Sequence, residues 1–366
     1  MQLVWLEVRD FRSYEALEFR PAPGVNVLVG DNGSGKTSIL EAIGYLATLA
    51  SFRRSPDAAL VRRGAESSIA RGEFSSSASG ATVEIETPAA GRRRVLLNGK
   101  GGRSRADIAA VVALVAFLPD DLDLVKRGPS YRREYLDDIA AQTWPVAATE
   151  QAEYDRVIRQ RNALLRRDGR HADPATLDVL DERVGRLGAA VLARRLAAAG
   201  LLAPVVSELY ADLGDHAEPV GWSYLSAGLG ALDGAPSADE LAGPLLEAVG
   251  AARRSDLERR TTTVGPHRDD LEISIGGRDA RTRASQGEQR SIALGLRLAA
   301  FSVLTERRGA TPVLLLDDVF SELDAERGRR LVERLPDGQV FVTSARAEEV
   351  PLVGRRWGVA GGRVTG

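Results

Sequence analysis

The chain has 366 residues, 44% of them hydrophobic, which is enough apolar material for one large core or two smaller ones. It contains no cysteine, which excludes disulfides, thiolate metal sites and cysteine nucleophiles, and its three histidines are too scattered to indicate a histidine zinc site. The 49 basic and 51 acidic residues nearly balance, so any nucleic-acid-binding surface must be local.

The N-terminus indicates neither a signal peptide nor a membrane anchor. Glu7 places a charge where a signal peptide would be apolar. No stretch approaches the roughly 18 uninterrupted apolar residues of a membrane helix. We therefore expect a globular cytoplasmic protein with no membrane partner.

The first third of the chain is predicted to be rich in strands. An early run of strands ends at a helix that extends from Lys36 to about Ala50, and the later segments alternate polar and apolar residues, as in an antiparallel sheet. "LNGKGG" at 97–102 predicts a hairpin. The predicted strands are 3–8, 16–19, 25–29, 68–75, 81–87 and 92–98.

The middle of the chain changes to Ala, Leu and Arg at helical spacing, with two long helices joined near "DGRHADPA". Strand 271–275, a long helix at 286–305 and buried strands at 313–317 and 339–343 follow. The pattern predicts an α/β body interrupted by a helical insertion. Its predicted segments are 1–130, 131–260 and 261–366.

A glycine-rich loop lies between an apolar strand and an amphipathic helix, which is the context that a P-loop requires. Its amides would surround the β-phosphate, Lys36 would reach the β and γ oxygens, and Thr37 would offer a hydroxyl to Mg²⁺. The sequence therefore predicts ATP and Mg²⁺ as cofactors. The predicted ATP-binding residues are Gly30, Asp31, Asn32, Gly33, Ser34, Gly35, Lys36, Thr37 and Ser38.

The strand "VLLLDD" ends in two acids that predict the other half of the site. Asp317 is the expected magnesium partner, with Thr37, and Asp318 the candidate that polarises the attacking water. With Lys36, these two aspartates form the predicted catalytic set. Asp318 is one methylene shorter than a glutamate, so we predict slow turnover and an ATP-bound state that lasts.

The segment "SQGEQRSIALGLRLAAF" opens a helix at Ser285, and its beginning resembles the signature motif of ABC-type ATPases. This resemblance implies that Ser285, Gln286, Gly287 and Glu288 contact the γ-phosphate held by a second subunit. "SELD" at 321–324 resembles the loop that carries contacts across such a dimer, through Ser321 and Asp324. An ATP-dependent homodimer is therefore expected.

Over nearly its whole length the chain resembles the RecF family of DNA replication and repair proteins. The resemblance is carried by "LEVRDFRSYEALEF", "FLPDDLDLVKRGPSYRREYLDDI", "TTVGPHRDDLEI", "SQGEQRSIALGLRLA" and "LLLDDVFSELD". It implies an α/β ABC-type P-loop ATPase head, a mixed sheet plus an antiparallel sheet, with an inserted α-helical second lobe.

The family resemblance also implies a function. Such proteins bind single-stranded and gapped or junction DNA, work with RecO and RecR to load recombinase, and support replication restart and the SOS response. Hydrolysis would be a slow, DNA-stimulated ATPase activity used as a switch, and the protein would join the nucleoid when bound to DNA.

Two family positions differ from those of related ATPases. No glutamine matches the Q-loop, and Asp120 or Asp121 is the candidate to stand near the γ-phosphate instead. No histidine follows the strand "QVFVTSA", where Thr343 or Ser344 occupies the switch position. His267 in "GPHRDD" is as well explained by a structural role, so it is left out of the catalytic set.

Basic residues cluster on the predicted hairpin and after the P-loop helix, where they would neutralise DNA phosphates in a closed dimer. Another basic stretch, around Arg156 to Arg170, could clamp a duplex or could pair with Asp155, Asp168, Asp181 and Glu182. The predicted DNA-binding residues are Arg53, Arg54, Arg62, Arg63, Arg92, Arg93, Arg94, Lys100, Arg103 and Arg105.

Three other functions agree less well with the sequence. A transport ATPase subunit would place the P-loop and the signature much closer together than Lys36 and Ser285 are. A Rad50 or SMC chromosome scaffold would need hundreds of residues of heptads, whereas this insertion is broken by Gly and Pro. A nuclease would need an acidic metal cluster outside the ATP site, and the sequence indicates none.

Overall fold

The computed structural model describes residues 1–76, 80–213, 218–321, 323–335 and 337–366. The described residues form two compact units, the first of residues 1–121, 212–213 and 297–366, and the second of residues 122–211 and 218–296. The second unit thus extends further in both directions than the predicted insertion, 131–260. The division falls inside the helix that begins with the signature, because the first half of that helix packs in the second unit, where the Tyr135 hydroxyl donates to the carbonyl of Leu296 (2.5 Å).

Along the chain, groups of consecutive strands and groups of consecutive helices occur beside strands that alternate with helices. The strands are β1 (Gln2–Phe11), β2 (Tyr14–Phe19), β3 (Val25–Val29), β4 (Ser67–Ser75), β5 (Gly80–Pro88), β6 (Arg94–Leu97), β7 (Lys100–Gly101), β8 (Leu114–Phe117), β9 (Val220–Ser226), β10 (Gly230–Leu232), β11 (Asp270–Ile275), β12 (Arg278–Asp279), β13 (Val313–Asp317), β14 (Val340–Ser344), β15 (Arg355–Ala360) and β16 (Arg363–Thr365). The helices are α1 (Lys36–Thr48), α2 (Arg105–Val111), α3 (Asp123–Lys126), α4 (Pro129–Thr143), α5 (Val146–Asp168), α6 (Pro174–Leu213), α7 (Ala238–Arg259), α8 (Ala280–Arg283), α9 (Gln286–Arg308) and α10 (Ala325–Arg334).

An antiparallel sheet in the first unit has the order β2-β1-β4-β5-β6-β7. Buried and half-buried residues alternate along β4 and β5, as the sequence pattern predicts for a sheet with one face on a core. The predicted hairpin is confirmed: Leu97 pairs with Lys100, and Asn98 and Gly99 both have positive φ, 52° and 74°. This is the geometry that an Asn-Gly turn favours.

The second sheet of this unit, of order β16-β15-β3-β14-β13-β8, is mixed and positions the candidate site. Strands β15, β3, β14, β13 and β8 run parallel, and only β16 is antiparallel. Every residue of β13 and β14 is buried, which explains the apolar runs 313–316 and 340–342 with which they begin. Because parallel strands end at the same edge, the loop after β3 and the acids after β13 are brought to one edge, with β14 between them.

The second unit is helical, as predicted, but it also contains strands that the sequence analysis missed. Helices α5 and α6 are the two long elements, joined at residues 169–173, and α4 and α7 accompany them. Within the range predicted as a helical insertion, β9 and β10 form a hairpin, and β9 pairs with β11 in a sheet of order β10-β9-β11-β12. The insertion is therefore a mixed helical and antiparallel lobe.

One helix, α6, is long and apolar enough by length and composition alone to cross a membrane, although none was expected from the sequence. Its most apolar window has a mean hydropathy of 1.6, and half of that window is buried inside the protein. Core helices of soluble proteins meet the same criteria, so this feature is weak evidence for a membrane span.

Candidate nucleotide-binding site

The loop between β3 and α1 has a backbone that its glycines make possible. Gly33 and Gly35 have φ of 80° and 107°, in the region that residues with a Cβ rarely adopt. A Cβ on Gly30 would lie 2.2 Å from the carbonyl oxygen of Val359, and one on Gly35 would lie 2.6 Å from the Tyr14 hydroxyl. The sequence Gly30-x-x-Gly33-x-Gly35 is therefore required by the shape of this loop.

Polar groups in the loop are arranged for an anionic ligand. Lys36 is 8% exposed as a residue, and its ammonium donates to the backbone carbonyls of Gly30 (2.5 Å) and Asp31 (2.9 Å), which curls the side chain back over the loop. The Ser34 hydroxyl is buried and has no hydrogen-bond partner among the described residues. A buried polar group without a partner is costly, and phosphate oxygens in the loop would supply one.

Asp317, the last residue of β13, lies at the centre of a hydroxyl network. Its Oδ1 accepts from the Thr37 hydroxyl (2.9 Å) and from the Thr343 hydroxyl (2.7 Å). Burial raises the pKa of this carboxyl, and the hydrogen bonds from the two threonines and the charge of Arg53 partly offset that effect. A buried carboxylate next to a threonine hydroxyl is a donor set that suits Mg²⁺, so Thr37 and Asp317 could hold this ion.

Asp318 follows directly and has an unusual backbone. Its φ is 53°, its N–H donates to the Thr343 hydroxyl (2.9 Å), and its carbonyl accepts from the Ser321 hydroxyl (2.7 Å). Its carboxylate forms no hydrogen bond or ion pair with any described residue, so it is available to orient a water.

The contacts of the candidate residues limit which of them could replace the absent Q-loop glutamine and the absent switch histidine. The Thr343 hydroxyl is buried, donates to the Asp317 carboxylate and accepts from the N–H of Asp318. It therefore holds these two acidic residues in position. The Ser344 hydroxyl donates to the carbonyl of Arg346 or to the Glu349 carboxylate.

Of the two acids after β8, Asp121 is buried in an ion pair with Arg297 (2.6 Å) and accepts from the N–H of Leu118. Burial raises the pKa of Asp121, while Arg297 opposes that shift. Asp120 is exposed and remains the candidate at this position.

The signature segment lies in the second unit, at the start of α9. Ser285 and Gln286 are exposed and Gly287 is half-buried. Glu288 has a local role that the sequence analysis missed: it accepts from the N–H of Ser285 (2.7 Å), while its own N–H donates to the Ser285 hydroxyl (3.3 Å), which forms a capping box. The exposed serine is thereby held at a helix N-terminus, where a phosphate of another molecule can reach it.

The predicted dimer loop is short and anchored at both ends. The Ser321 hydroxyl donates to the Asp318 carbonyl, and Asp324 caps α10 by accepting from the N–H of Arg327 (2.9 Å). Glu322, also part of the "SELD" motif, lies outside the described residues.

The predicted DNA-binding residues all lie in the first unit, but some of them are paired. Arg62 forms an ion pair with Asp10 (2.6 Å), and Arg93 bonds Asp57 (3.0 Å) and the carbonyl of Leu49. Arg103 is 3.7 Å from Asp107, and Arg105 is half-buried. The exposed members are Arg53, Arg54, Arg63, Arg92, Arg94 and Lys100. The charge of Arg53 also opposes the rise in the pKa of Asp317 that burial causes.

A buried network beside the P-loop helix was not predicted. Glu41 of α1 is fully buried and accepts from Arg12 through two nitrogens (2.8 and 2.6 Å) and from the Ser51 hydroxyl (2.5 Å). Arg12 also donates to the hydroxyl of Ser55. The network ties the segment that contains Arg53 to the helix that begins at Lys36. Sequence spacing cannot reveal it, because its members are distant in the chain.

Comparison with known proteins gives full-length matches. Residues 2–361 match the family model of the RecF/RecN/SMC N terminal domain. The chain is 44% identical to the DNA replication and repair protein RecF of Kineococcus radiotolerans, over 96% of this chain and 94% of the relative. It is 40% identical to the protein of the same name from Streptomyces avermitilis, over 100% of this chain and 99% of the relative.

Solved structures give the same result. One described as the recombination mediator protein RecF-ATP in the RecFOR pathway is 30% identical, has a TM-score of 0.91, and covers 99% of this chain and 96% of that one. An SMC head bound to the C-winged helix domain of ScpA has a TM-score of 0.57 at 17% identity, over 100% of this chain and 96% of that one. The second likeness concerns the fold alone.

Proposed function

The chain belongs to the RecF family of DNA replication and repair proteins, within the RecF/RecN/SMC families of ABC-type ATPase heads, and from this we propose that it is an ATP-dependent DNA-binding protein of recombinational repair. In this proposal it dimerises on ATP and binds DNA at gaps and at junctions of single and double strands. The observation that carries the proposal is the P-loop at the edge of the sheet, with Thr37 bonded to Asp317.

ATP and Mg²⁺ are the proposed cofactors. The P-loop amides and Lys36 would bind the phosphates, the ammonium exchanging its bonds to the Gly30 and Asp31 carbonyls for phosphate oxygens. Thr37 and Asp317 would hold Mg²⁺, which neutralises charge on the β and γ oxygens when it is bound. The unpartnered Ser34 hydroxyl supports this assignment, because it lies where a phosphate would satisfy it.

We propose that hydrolysis is slow and stimulated by DNA. Bound ATP would then hold the dimer together, and hydrolysis would release DNA. Asp318 has a carboxylate that no described residue engages, on a backbone fixed by Thr343 and Ser321, which suits a group that orients water. Its short side chain reaches less far than a glutamate, and a water held less closely reacts more slowly.

The dimer would be formed through the signature. Ser285 is exposed at the N-terminus of α9, and the capping box with Glu288 holds it there. A γ-phosphate on a second subunit would accept from this serine and from the amide of Gly287. The contact is proposed to act between subunits, with Ser321 and Asp324 contributing near the same interface.

RecO and RecR are the proposed partners, with which the protein would help to load recombinase, support replication restart and contribute to the SOS response. The support is the RecFOR pathway in which solved relatives, up to 30% identical, are described. The proposed location is the cytoplasm, with nucleoid association when DNA is bound.

Substitution of the P-loop lysine tests the function. Lys36→Met should abolish binding of a fluorescent ATP analogue and the ATP-dependent part of gapped-DNA binding, because the ammonium that pairs with the phosphates is lost. Lys126→Met is the matched control, since Lys126 is exposed on α3, away from the P-loop in sequence, and should bind ATP normally. Normal ATP binding by Lys36→Met would overturn the proposed site.

A further inference from the structure

The solvent-facing side of α5, in the second unit, carries a row of arginines. Arg156, Arg159 and Arg166 are exposed, and with the exposed Ala163 they follow a spacing of three, four and three residues, which places them in one line along a helix. From residue 157 to residue 167 the helix contains no acid. We name Arg156, Arg159 and Arg166 the α5 arginine row.

Ion pairing within the lobe does not account for this row. Three of the carboxylates that could pair with the row are engaged by other groups: Asp181 by Arg161 and Arg253, Asp168 by Arg167, and Asp155 by a hydrogen bond from Gln151. Two more, Glu153 and Glu182, are exposed and form no ion pair with the row in the part of the chain that the structure describes. None of the three arginines of the row forms a hydrogen bond or an ion pair with any described residue. Burial raises the pKa of Asp155, and the charge of Arg159 opposes that shift only from beyond salt-bridge distance.

Helix electrostatics accounts for only part of the row. A positive charge in the last turn of a helix interacts favourably with the helix dipole, and Arg166 lies in the last turn of α5. Arg156 lies about 18 Å from the end of α5 and Arg159 about 14 Å, at 1.5 Å per residue, where the dipole no longer favours a cation. Because the chain has nearly equal numbers of basic and acidic residues, these two arginines have no evident role in its folding stability.

The chemistry of the row suits the phosphates of double-stranded DNA. A guanidinium binds phosphate through two parallel N–H donors, and B-DNA presents one phosphate charge about every 1.7 Å of its axis, so the roughly 15 Å between Arg156 and Arg166 faces several phosphates. No aromatic residue lies between positions 155 and 171, and aromatic platforms are what stack the bases of single strands.

We propose that the α5 arginine row is a second DNA-binding site, one that contacts the backbone of duplex DNA without reading its sequence. The proposal rests on the proposed DNA-binding function and adds to it a surface in the second unit, separate in sequence from the hairpin and the segment after the P-loop. Contacts of this kind raise affinity by releasing counterions, so they can be detected by the dependence of DNA binding on salt concentration.

The test compares two variants of equal charge change in one lobe. Arg156→Gln/Arg159→Gln removes two members of the row, and Arg183→Gln/Arg186→Gln removes two exposed arginines of α6 that also lack a partner among the described residues. Glutamine keeps helix propensity, so both proteins should fold. Each is titrated with a labelled 30-base-pair duplex and with a 30-nucleotide single strand, with ATP, from 50 to 200 mM salt.

We expect the Arg156→Gln/Arg159→Gln variant to bind duplex on the order of tenfold more weakly at low salt. The slope of log K against log salt should be smaller in magnitude by about 1.8, because each phosphate that is no longer neutralised reduces it by about 0.9. The control variant should keep the slope of the unmodified protein. An unchanged slope, or an equal decrease in the control variant, would overturn the inference. The slope would also be unchanged if the row bound an acidic protein instead of DNA. Failure of the unmodified protein to bind any DNA would instead refute the proposed function.

Discussion

At the scale of single residues, the backbone at Asp318 explains why an aspartate stands where a glutamate was expected. A φ of 53° is costly for most side chains, and Asp and Asn are the non-glycine residues that tolerate it best. Thr343 and Ser321 hold this conformation through the N–H and carbonyl of Asp318. The short side chain therefore suits the local backbone, and in the proposed mechanism it also limits how closely a water can be held.

This backbone makes asparagine the sharpest substitution at Asp318. Asn tolerates the same φ and has nearly the same shape, so Asp318→Asn should bind ATP with unchanged affinity and keep the same thermal stability. It should hydrolyse ATP roughly 10² to 10⁴-fold more slowly, because the carboxylate that orients water is gone. Single-turnover hydrolysis and ATP titration measure the two quantities, and equal hydrolysis by both proteins would exclude Asp318 as the base.

His267 is a second residue whose environment makes a testable difference. Its Nδ1 lies 2.7 Å from the Tyr154 hydroxyl and its Nε2 lies 3.1 Å from the carbonyl of Thr262, so a neutral ring that accepts from the tyrosine and donates to the carbonyl satisfies both. Burial lowers the pKa of His267 from 6.5 to about 4. These contacts support the structural role, since a ring bonded on both sides has no free nitrogen for catalysis.

The pH dependence follows from the lowered pKa of His267. Above pH 6.5 the ring is neutral in both folded and unfolded chains, and between pH 6.5 and about 4 the unfolded chain takes up a proton that the folded one does not. The free energy of unfolding should therefore fall as the pH drops from 7.5 to 5, by about 1–2 kcal/mol from this residue. His267→Gln should lose that part of the decrease in urea unfolding, and His171→Gln, at an exposed position, should keep it.

At the scale of elements, one buried arginine ties three helices of the second unit together. Arg161 of α5 is fully buried and bonds Asp181 of α6 (2.7 Å) and Asp256 of α7 (2.7 Å). Buried ion pairs contribute little net stability while they are intact, but the loss of one partner leaves an uncompensated charge in the core.

Arg161→Met should therefore lower the free energy of unfolding of the second unit by about 3 kcal/mol or more. Arg253 also pairs with Asp181 and will partly compensate that carboxylate when Arg161 is replaced. The uncompensated charge will therefore be mainly that of Asp256. Arg167→Met removes an arginine that is 75% exposed and paired with Asp168, and should change the free energy of unfolding far less than Arg161→Met does. Urea unfolding followed through Trp144 and Trp222 measures both, and equal losses would contradict this account.

The sequence predicted elements well where a local rule decides them and poorly where distant residues do. The Asn98-Gly99 hairpin, the P-loop and the buried strand that ends at Asp317 follow from turn chemistry and uninterrupted apolar runs. The β9–β10 hairpin was missed because it is short and lies between long helices, and its strand character depends on pairing with β11.

The site shows the same limit. Thr37 and Asp317 were predicted from two motifs of known order to bind the same magnesium ion, and in the structure their side chains are joined by a hydrogen bond although they are 280 positions apart in the chain. The roles of Thr343 and Glu41 were not, because each depends on which strand or loop lies beside it, and that is a property of the sheet order and the packing. Arg53 stays a predicted DNA-binding residue, and the effect of its charge on Asp317 could not be predicted from the sequence because it depends on the folded structure.

At the scale of the whole molecule, the proposed function requires two chains. Each composite site would join the P-loop of one subunit to the signature of the other, so Lys36 and Ser285 of one chain would act in two different sites. Two variants that are each inactive could then complement each other when they are mixed. Such complementation would not occur if both motifs acted within one chain.

Lys36→Met should not dimerise because it binds no ATP, and Ser285→Arg should bind ATP but not dimerise because arginine obstructs the contact with the γ-phosphate. In an equal mixture, the normal P-loop of the Ser285→Arg chain meets the normal signature of the Lys36→Met chain, so one complete site forms per heterodimer. Sedimentation with ATP should show dimers in the mixture alone, with one nucleotide for each two chains. Persistence of monomers there, or dimers of Ser285→Arg by itself, would contradict a signature that acts between subunits.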